Sequence, residues 1–161
     1  MPSLLDVFQH TGFAVWQLQV VESTFATYLV IVHQAEPAMA RADVGALFNK
    51  AESRTLGHNL KQLRSQPDAT SLLVERIEAL VEDRNWLIHE ARARCRGQLT
   101  SADGVLLVIG RIQRIGEEAL WLASTLGLLI EDHLTRQGFT KQAIEDRQTE
   151  ILHSWYPEDG A

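Results

Sequence analysis

Apolar residues recur along most of the chain at the three- and four-residue spacing of amphipathic helices. The prolines stand at positions 2, 37, 67 and 157, each at an end or a break. The long stretches between them suit helices, because an interior proline removes a hydrogen bond and clashes with the preceding turn. The pattern predicts a first helix from Ser3 to Gln34, bent at Gly12, and a second from Asp43 to Arg64 with Leu47, Leu56, Leu60 and Leu63 as its stripe. A third runs from Asp68 to Arg96. The fourth is capped by Ser101, reaches Arg136 and is ended by Gly138, and Thr140 caps a shorter fifth to Trp155. No Asn-Gly or Asp-Gly turn lies between alternating strands, and Asp103-Gly104 falls inside a helical pattern. The expectation is an all-α chain, a compact bundle of four to five helices in one domain over residues 1–156, with 157–161 as a flexible tail.

The predicted fourth helix is apolar on nearly every face, from Val105 to Ile109 and again from Leu120 through Leu122 to Ile130. Such a helix is enclosed by other helices or by a second subunit. The first helix is similarly poor in charge, so the chain has more apolar helix surface than one small bundle hides, which implies a homodimer. Thr11 to Val32 carries one formal charge, Glu22, yet Gln17, Gln19, Ser23, Thr24 and Thr27 interrupt it and no basic flanks anchor it. It reads as a helix buried in protein rather than a membrane span.

Composition narrows the class. Hydrophobic residues at 45% and charged ones at 22% of 161 residues are those of a folded domain, which excludes disorder as a description of the whole. A net charge of −6 excludes coating a nucleic acid by bulk attraction, though not through a local basic patch. The single cysteine, Cys95, allows no internal disulfide and no cysteine-only metal cage, and reads as a passive thiol. With Asp6 where a secretory signal carries a basic residue, the expected location is cytoplasmic.

The chemistry concentrates in Leu73 to Cys95, LVERIEALVEDRNWLIHEARARC. On a wheel of about 100° per residue, Ile77, Leu80, Leu87, Ile88 and Ala91 lie within about 60° of Leu73 and define a buried stripe. Arg84 falls at about 20°, near the middle of that stripe. A guanidinium does not deprotonate to escape burial, so it needs a carboxylate, a phosphate or a solvated cleft. Two readings stay open: an internal ion pair, with Glu22 as the obvious partner, or an anion site at a cleft or dimer seam. Asn85 and His89, spaced i, i+4, share one face, whereas His89 stands about 140° from Arg84 on an ideal helix. Convergence on one ligand requires that Arg84 reach around, that the helix distort, or that a second subunit complete the site.

Asp83-Arg84-Asn85-Trp86-Leu87-Ile88-His89 resembles the R-N-x-x-x-H signature of the HEPN superfamily (higher eukaryotes and prokaryotes nucleotide-binding). The resemblance covers seven residues, and beyond them only a helical architecture with the motif late in its third helix. It implies a dimeric α-helical domain, in many members a metal-independent endoribonuclease of toxin–antitoxin or phage-defence systems. Arg84 and His89 then match the catalytic pair and Asn85 the polar residue after the arginine, with no cofactor, an RNA substrate, and an antitoxin or regulatory protein as a further partner. A non-catalytic, dimeric binding or regulatory module is the alternative. Toxins of the family that are modified by nucleotidyltransferases carry a tyrosine two residues after the histidine, where this chain has Ala91. Arg92, Arg94 and Arg96 add local positive charge suited either to RNA phosphates or to the dipole of a helix carboxyl end. Trp86 reads as interface packing more than as a base-stacking platform.

Other constellations are weak. The only Glu-x-x-His is Glu150 to His153, so no metal site is expected. His10, His33, His58 and His133 are singletons, and His58 stands where it could approach the cleft. Gly110 and Gly116 lack the Lys-Ser/Thr of a phosphate loop and suggest close helix packing instead.

Overall fold

The computed structural model describes residues 3–36, 38–146 and 149, and all its regular elements are helical. Helix α1 (Leu4–Tyr28) opens on a capping box: the Asp6 N–H donates to the Ser3 hydroxyl at 3.3 Å, and the Ser3 N–H donates to the Asp6 carboxylate at 2.7 Å. It runs on as a wider π turn over Leu29–Gln34, closed by the Ala35 N–H on the Val30 carbonyl. Then come α2 (Arg41–Glu52), α3 (Leu56–Arg64) and α4 (Ser71–Asn85). A second π turn (Trp86–Glu90), the short α5 (Ala91–Arg94) and a 3₁₀ turn (Gln98–Thr100) lead to the 35-residue α6 (Ala102–Arg136).

Two long helices set the frame. α1 and α6 lie side by side and parallel: His10 meets Gln113, Ala14 meets Gly116, and near the far end Ile31 and Ala35 share a cavity with His133 and Leu134. α4 runs antiparallel to both. Toward α1 it is tied by Arg84–Glu22, and the loop before it by Asp68–His33. Toward α6 it is tied by two reciprocal pairs. Arg76 of α4 chelates Glu118 and lies 3.6 Å above the Trp121 ring, while Arg111 of α6 pairs with Asp83 and lies 3.5 Å above the ring of Trp86. The core between the three helices contains Leu18, Val21, Phe25, Leu29, Ile77, Leu80, Ile112, Ile115 and Leu122. α3 adds Leu56, Leu60 and Leu63 to it, and α2 packs Ala51 on Ala26 and Val30 behind α1.

Several expectations need correction. α1 passes through Gly12 without a break. The predicted second helix is two helices, interrupted at Ser53–Thr55, where Thr55 caps α3 by accepting from the His58 N–H. The bend lets Leu56, Leu60 and Leu63 face the main core while Leu47 packs with Ala26 and Val30. The third starts at Ser71 and its α-helical part ends at Arg94, with the π turn inside it. Gly116 is packed tightly against Ala14 and Phe13, but Gly110 faces open space. α6 matches in extent: Ser101 accepts from the Gly104 N–H, and Gly138, at φ 92°, ends the helix with the Phe139 N–H on the Leu134 carbonyl. Of the predicted fifth helix, residues 141–146 are helical and Thr140 accepts from the Ala143 N–H; the rest, save Thr149, and the tail lie outside the described residues.

Candidate functional site

The π turn takes in the last four residues of the seven-residue motif and runs one residue past it, to Glu90. Its closing bond, from the Ala91 N–H to the Trp86 carbonyl, joins residues five apart instead of four. A turn holding one residue more rotates each residue by about 80° rather than 100°, so the three steps from Trp86 to His89 narrow the Arg84–His89 angle from about 140° to about 80°. The other π turn shows the effect on a comparable pair. Tyr28 and His33, also five apart, meet there with the imidazole Nε2 at 3.2 Å from the phenol oxygen.

Distortion is one of the three routes by which Arg84 and His89 could approach each other. Asn85 and His89 are exposed, and Arg84 leans on Asn85 with Nη1 at 3.5 Å from its Oδ1. Among the described residues the His89 imidazole has no hydrogen-bond partner. Ile88, expected in the buried stripe, is 45% exposed. The reason is local: α3 covers α4 at Val81, whose side chain a β-carbon on Gly57 would meet at 3.8 Å, and begins at Leu56, so no part of α3 extends over the turn holding Ile88. The motif therefore opens to solvent just past the end of a covering helix.

Arg84 sits at the edge of the core rather than sealed in it. Its Nε donates to the Glu22 carboxylate at 3.1 Å, and the two side chains are 29% and 31% exposed. The ion-pair partner read from the sequence is thus in place, while the guanidinium keeps a solvent-facing side. Glu22 also borders a cavity of ≈ 190 Å³ with Gln19, Ser23, Glu52, Arg54 and Asn59. Asn59 is buried, donates to the Ala51 carbonyl at 3.0 Å and leaves its Oδ1 unbonded. Its place on the Leu56-Leu60-Leu63 stripe was the sequence signal that could have singled it out.

The three downstream arginines are all on the surface. Arg92 and Arg96 are exposed, and Arg94 pairs with Glu90 at 2.8 Å. Arg94 also shares a groove of ≈ 290 Å³ with Gln98, Arg111 and Arg114, over Trp86, Cys95, Leu107 and Val108. Trp86 is buried under Arg111, in packing and not as a free platform. Arg111 and Arg114 carry no signal of their own in the sequence, because they stand some 20 residues beyond the motif, in a polar stretch between the two apolar runs of α6.

The remaining histidines are accounted for locally. His10 Nδ1–H donates to the Asp6 carbonyl at 2.7 Å, which leaves Nε2 to accept from Gln113 at 2.9 Å. His58 is exposed at the start of α3. Burial pushes the His33 imidazole below its ordinary value, against the opposing pull of Asp68 and with some help from His133. Tyr28 is pushed up, by burial first and Asp68 second. Among the described residues no group of three or more His, Cys, Asp or Glu side chains is gathered for a metal ion. No protein-family model, curated protein or solved structure matches the chain.

Proposed function

We propose that this chain is a HEPN-like endoribonuclease that cuts RNA without a metal ion and works as a homodimer. The observation carrying this reading is the π turn at Trp86–Glu90, which on the wheel brings His89 from about 140° to about 80° of Arg84, in a motif whose Asn85 and His89 are exposed. In the proposed reaction a ribose 2′-oxygen attacks the adjacent phosphorus, a new O–P bond forms and the bond to the 5′-oxygen breaks. One imidazole takes the 2′-hydroxyl proton and another protonates the leaving oxygen, which two copies of His89 across a two-fold axis would supply. Arg84 steadies the charge building on the phosphoryl oxygens and Asn85 orients the phosphate.

Apolar surface supports the dimer. Phe8, Phe13, Trp16 and Val20 on α1 and Leu106, Leu120 and Leu128 on the parallel α6 are all exposed. Leu4 and Leu5 are exposed as well, and large apolar side chains left in water are the kind of surface that a second subunit covers. Residues 4–34 are also long and apolar enough to cross a membrane, but 39% of their most apolar window is buried within this fold. A toxin–antitoxin or phage-defence setting in the cytoplasm, with an antitoxin as regulator, follows from the resemblance and belongs to the same proposal.

The test is cleavage of single-stranded RNA in EDTA by the full chain. Activity that yields 2′,3′-cyclic phosphate ends and is lost in folded Arg84→Ala and His89→Ala variants is the expected result. Metal-dependent cleavage, or activity surviving both substitutions, overturns it. The Arg84–Glu22 pair favours the second reading, a dimeric binding or regulatory module in which the arginine serves the fold. A folded wild type that binds RNA and leaves it intact is its signature.

A further inference from the structure

We infer that the groove between α5 and α6, walled by Arg94, Arg111 and Arg114, is a second site that holds the phosphodiester backbone of a single polynucleotide strand. The inference rests on the nucleic-acid reading above but not on catalysis at His89. Trp86 packs against α6, and on the α4 wheel Asn85 stands about 100° from it and His89, through the π turn, about 120°, so the groove and the motif open on different sides of one helix. A helix with its side chains is about 10–12 Å across, a gap that a few extended nucleotides span around the end of α5.

The groove's chemistry is directional. The Arg111 guanidinium carbon stands 3.5 Å from the centre of the Trp86 ring, a contact that engages the face of a planar guanidinium and leaves N–H donors for an anion, and its side chain is 43% exposed. Asp83, at 3.6 Å, is too far for a full hydrogen bond to Arg111 and fixes its orientation more than it consumes donors. Arg114, one turn on, is exposed and has no ion-pair partner among the described residues. Residues three apart on a helix stand about 5–6 Å from one another, which suits successive phosphates on an extended strand. Arg94, held through its Nε by Glu90, closes the opposite wall. With Asp83 and Glu90 counted, cations still outnumber carboxylates at the groove, in a chain whose net charge is −6. Leu107 and Val108 give a ribose or base an apolar wall, and Gln98 offers a carboxamide. At ≈ 290 Å³ the groove is near the lower end of small-molecule sites, about 300 Å³, and fits a nucleotide-sized piece of a longer strand.

The experiment is fluorescence anisotropy of end-labelled single-stranded oligonucleotides, RNA and DNA of one sequence, with the full-length His89→Ala protein so that no turnover occurs. Added Arg114→Glu is expected to weaken binding at least tenfold and to flatten the dependence of log Kd on log salt by about one ion. Arg114→Lys should retain most of the affinity. Arg136→Glu, an exposed charge reversal at the far end of the same helix, should leave it unchanged. Equal weakening for RNA and DNA assigns recognition to the backbone alone, and a larger loss for RNA adds the 2′-hydroxyl; both support the site. Absence of oligonucleotide binding, an Arg114→Glu protein that binds like its parent, or a polyglutamate peptide that competes as well as the oligonucleotide overturns it. A wild type that fails to cleave while Arg114→Glu still weakens binding defeats the nuclease proposal and leaves the groove standing.

Discussion

The Arg84 side chain is neither sealed nor free, so mutation can separate its ion pair with Glu22 from the part in cleavage proposed for it. An ion pair exposed to this degree is worth about 1 kcal/mol or less, against about 3–5 kcal/mol for breaking a fully buried one. Arg84→Ala should therefore lower stability by only about 1 kcal/mol in denaturant titration while abolishing cleavage, and Glu22→Gln should cost a similar amount. A loss of several kcal/mol would make the arginine a structural residue first. His33 gives the second prediction at this scale. Its imidazole is 97% buried, bonded to Tyr28 and 3.4 Å from Asp68, and burial holds it below the ordinary value of 6.5. The unfolded chain then takes up this proton at higher pH than the folded one, so stability is full above about 6.5 and declines as pH falls toward the lower folded value. Melting temperature should drop between pH 7.5 and pH 5, and by less in His33→Gln. Equal drops in the two proteins would remove His33 as the cause.

At the scale of elements, the decisive departures from an ideal helix are the two π turns, and neither was legible. Hydrophobic spacing assumes a fixed rotation per residue, so a turn widened by one residue is invisible to it. The lone charge on the first helix named Glu22 as the partner of Arg84, and the two do pair, but the wheel put Arg84 in the middle of the buried stripe where the structure has it at the edge of the core. It also buried Ile88, because a wheel carries no information about where a neighbouring helix begins. The break at Ser53–Thr55 escaped for another reason: the apolar residues on both sides keep helical spacing while facing different clusters. Capping chemistry was the most readable signal, as Ser101 and Gly138 show. The start of α6 yields a sharp expectation. A β-carbon on Gly104 would stand 2.0 Å from the Gln98 carbonyl oxygen, so Gly104→Ala must displace the 3₁₀ turn and should cost about 1–3 kcal/mol by thermal or chemical unfolding. A neutral result would show that the turn yields freely.

For the whole molecule, the exposed faces of α1 and α6 predict self-association. Sedimentation should give a dimer at micromolar concentration, and Phe8→Glu with Trp16→Glu should give a folded monomer, since both side chains are more than half exposed and leave the core intact. If the motif is completed across that seam, the monomer should also lose cleavage. A dimer that survives both substitutions would place the seam elsewhere. The parallel pairing of α1 with α6 carries a cost paid during synthesis. The contact between His10 and Gln113 spans 103 residues of chain. At about 5–20 residues per second, the first helix leaves the ribosome on the order of 5–20 s before the surface it must cover has been made. Throughout that interval a strongly oily segment waits in the cell, which makes the nascent chain a natural client for chaperones that shelter such stretches.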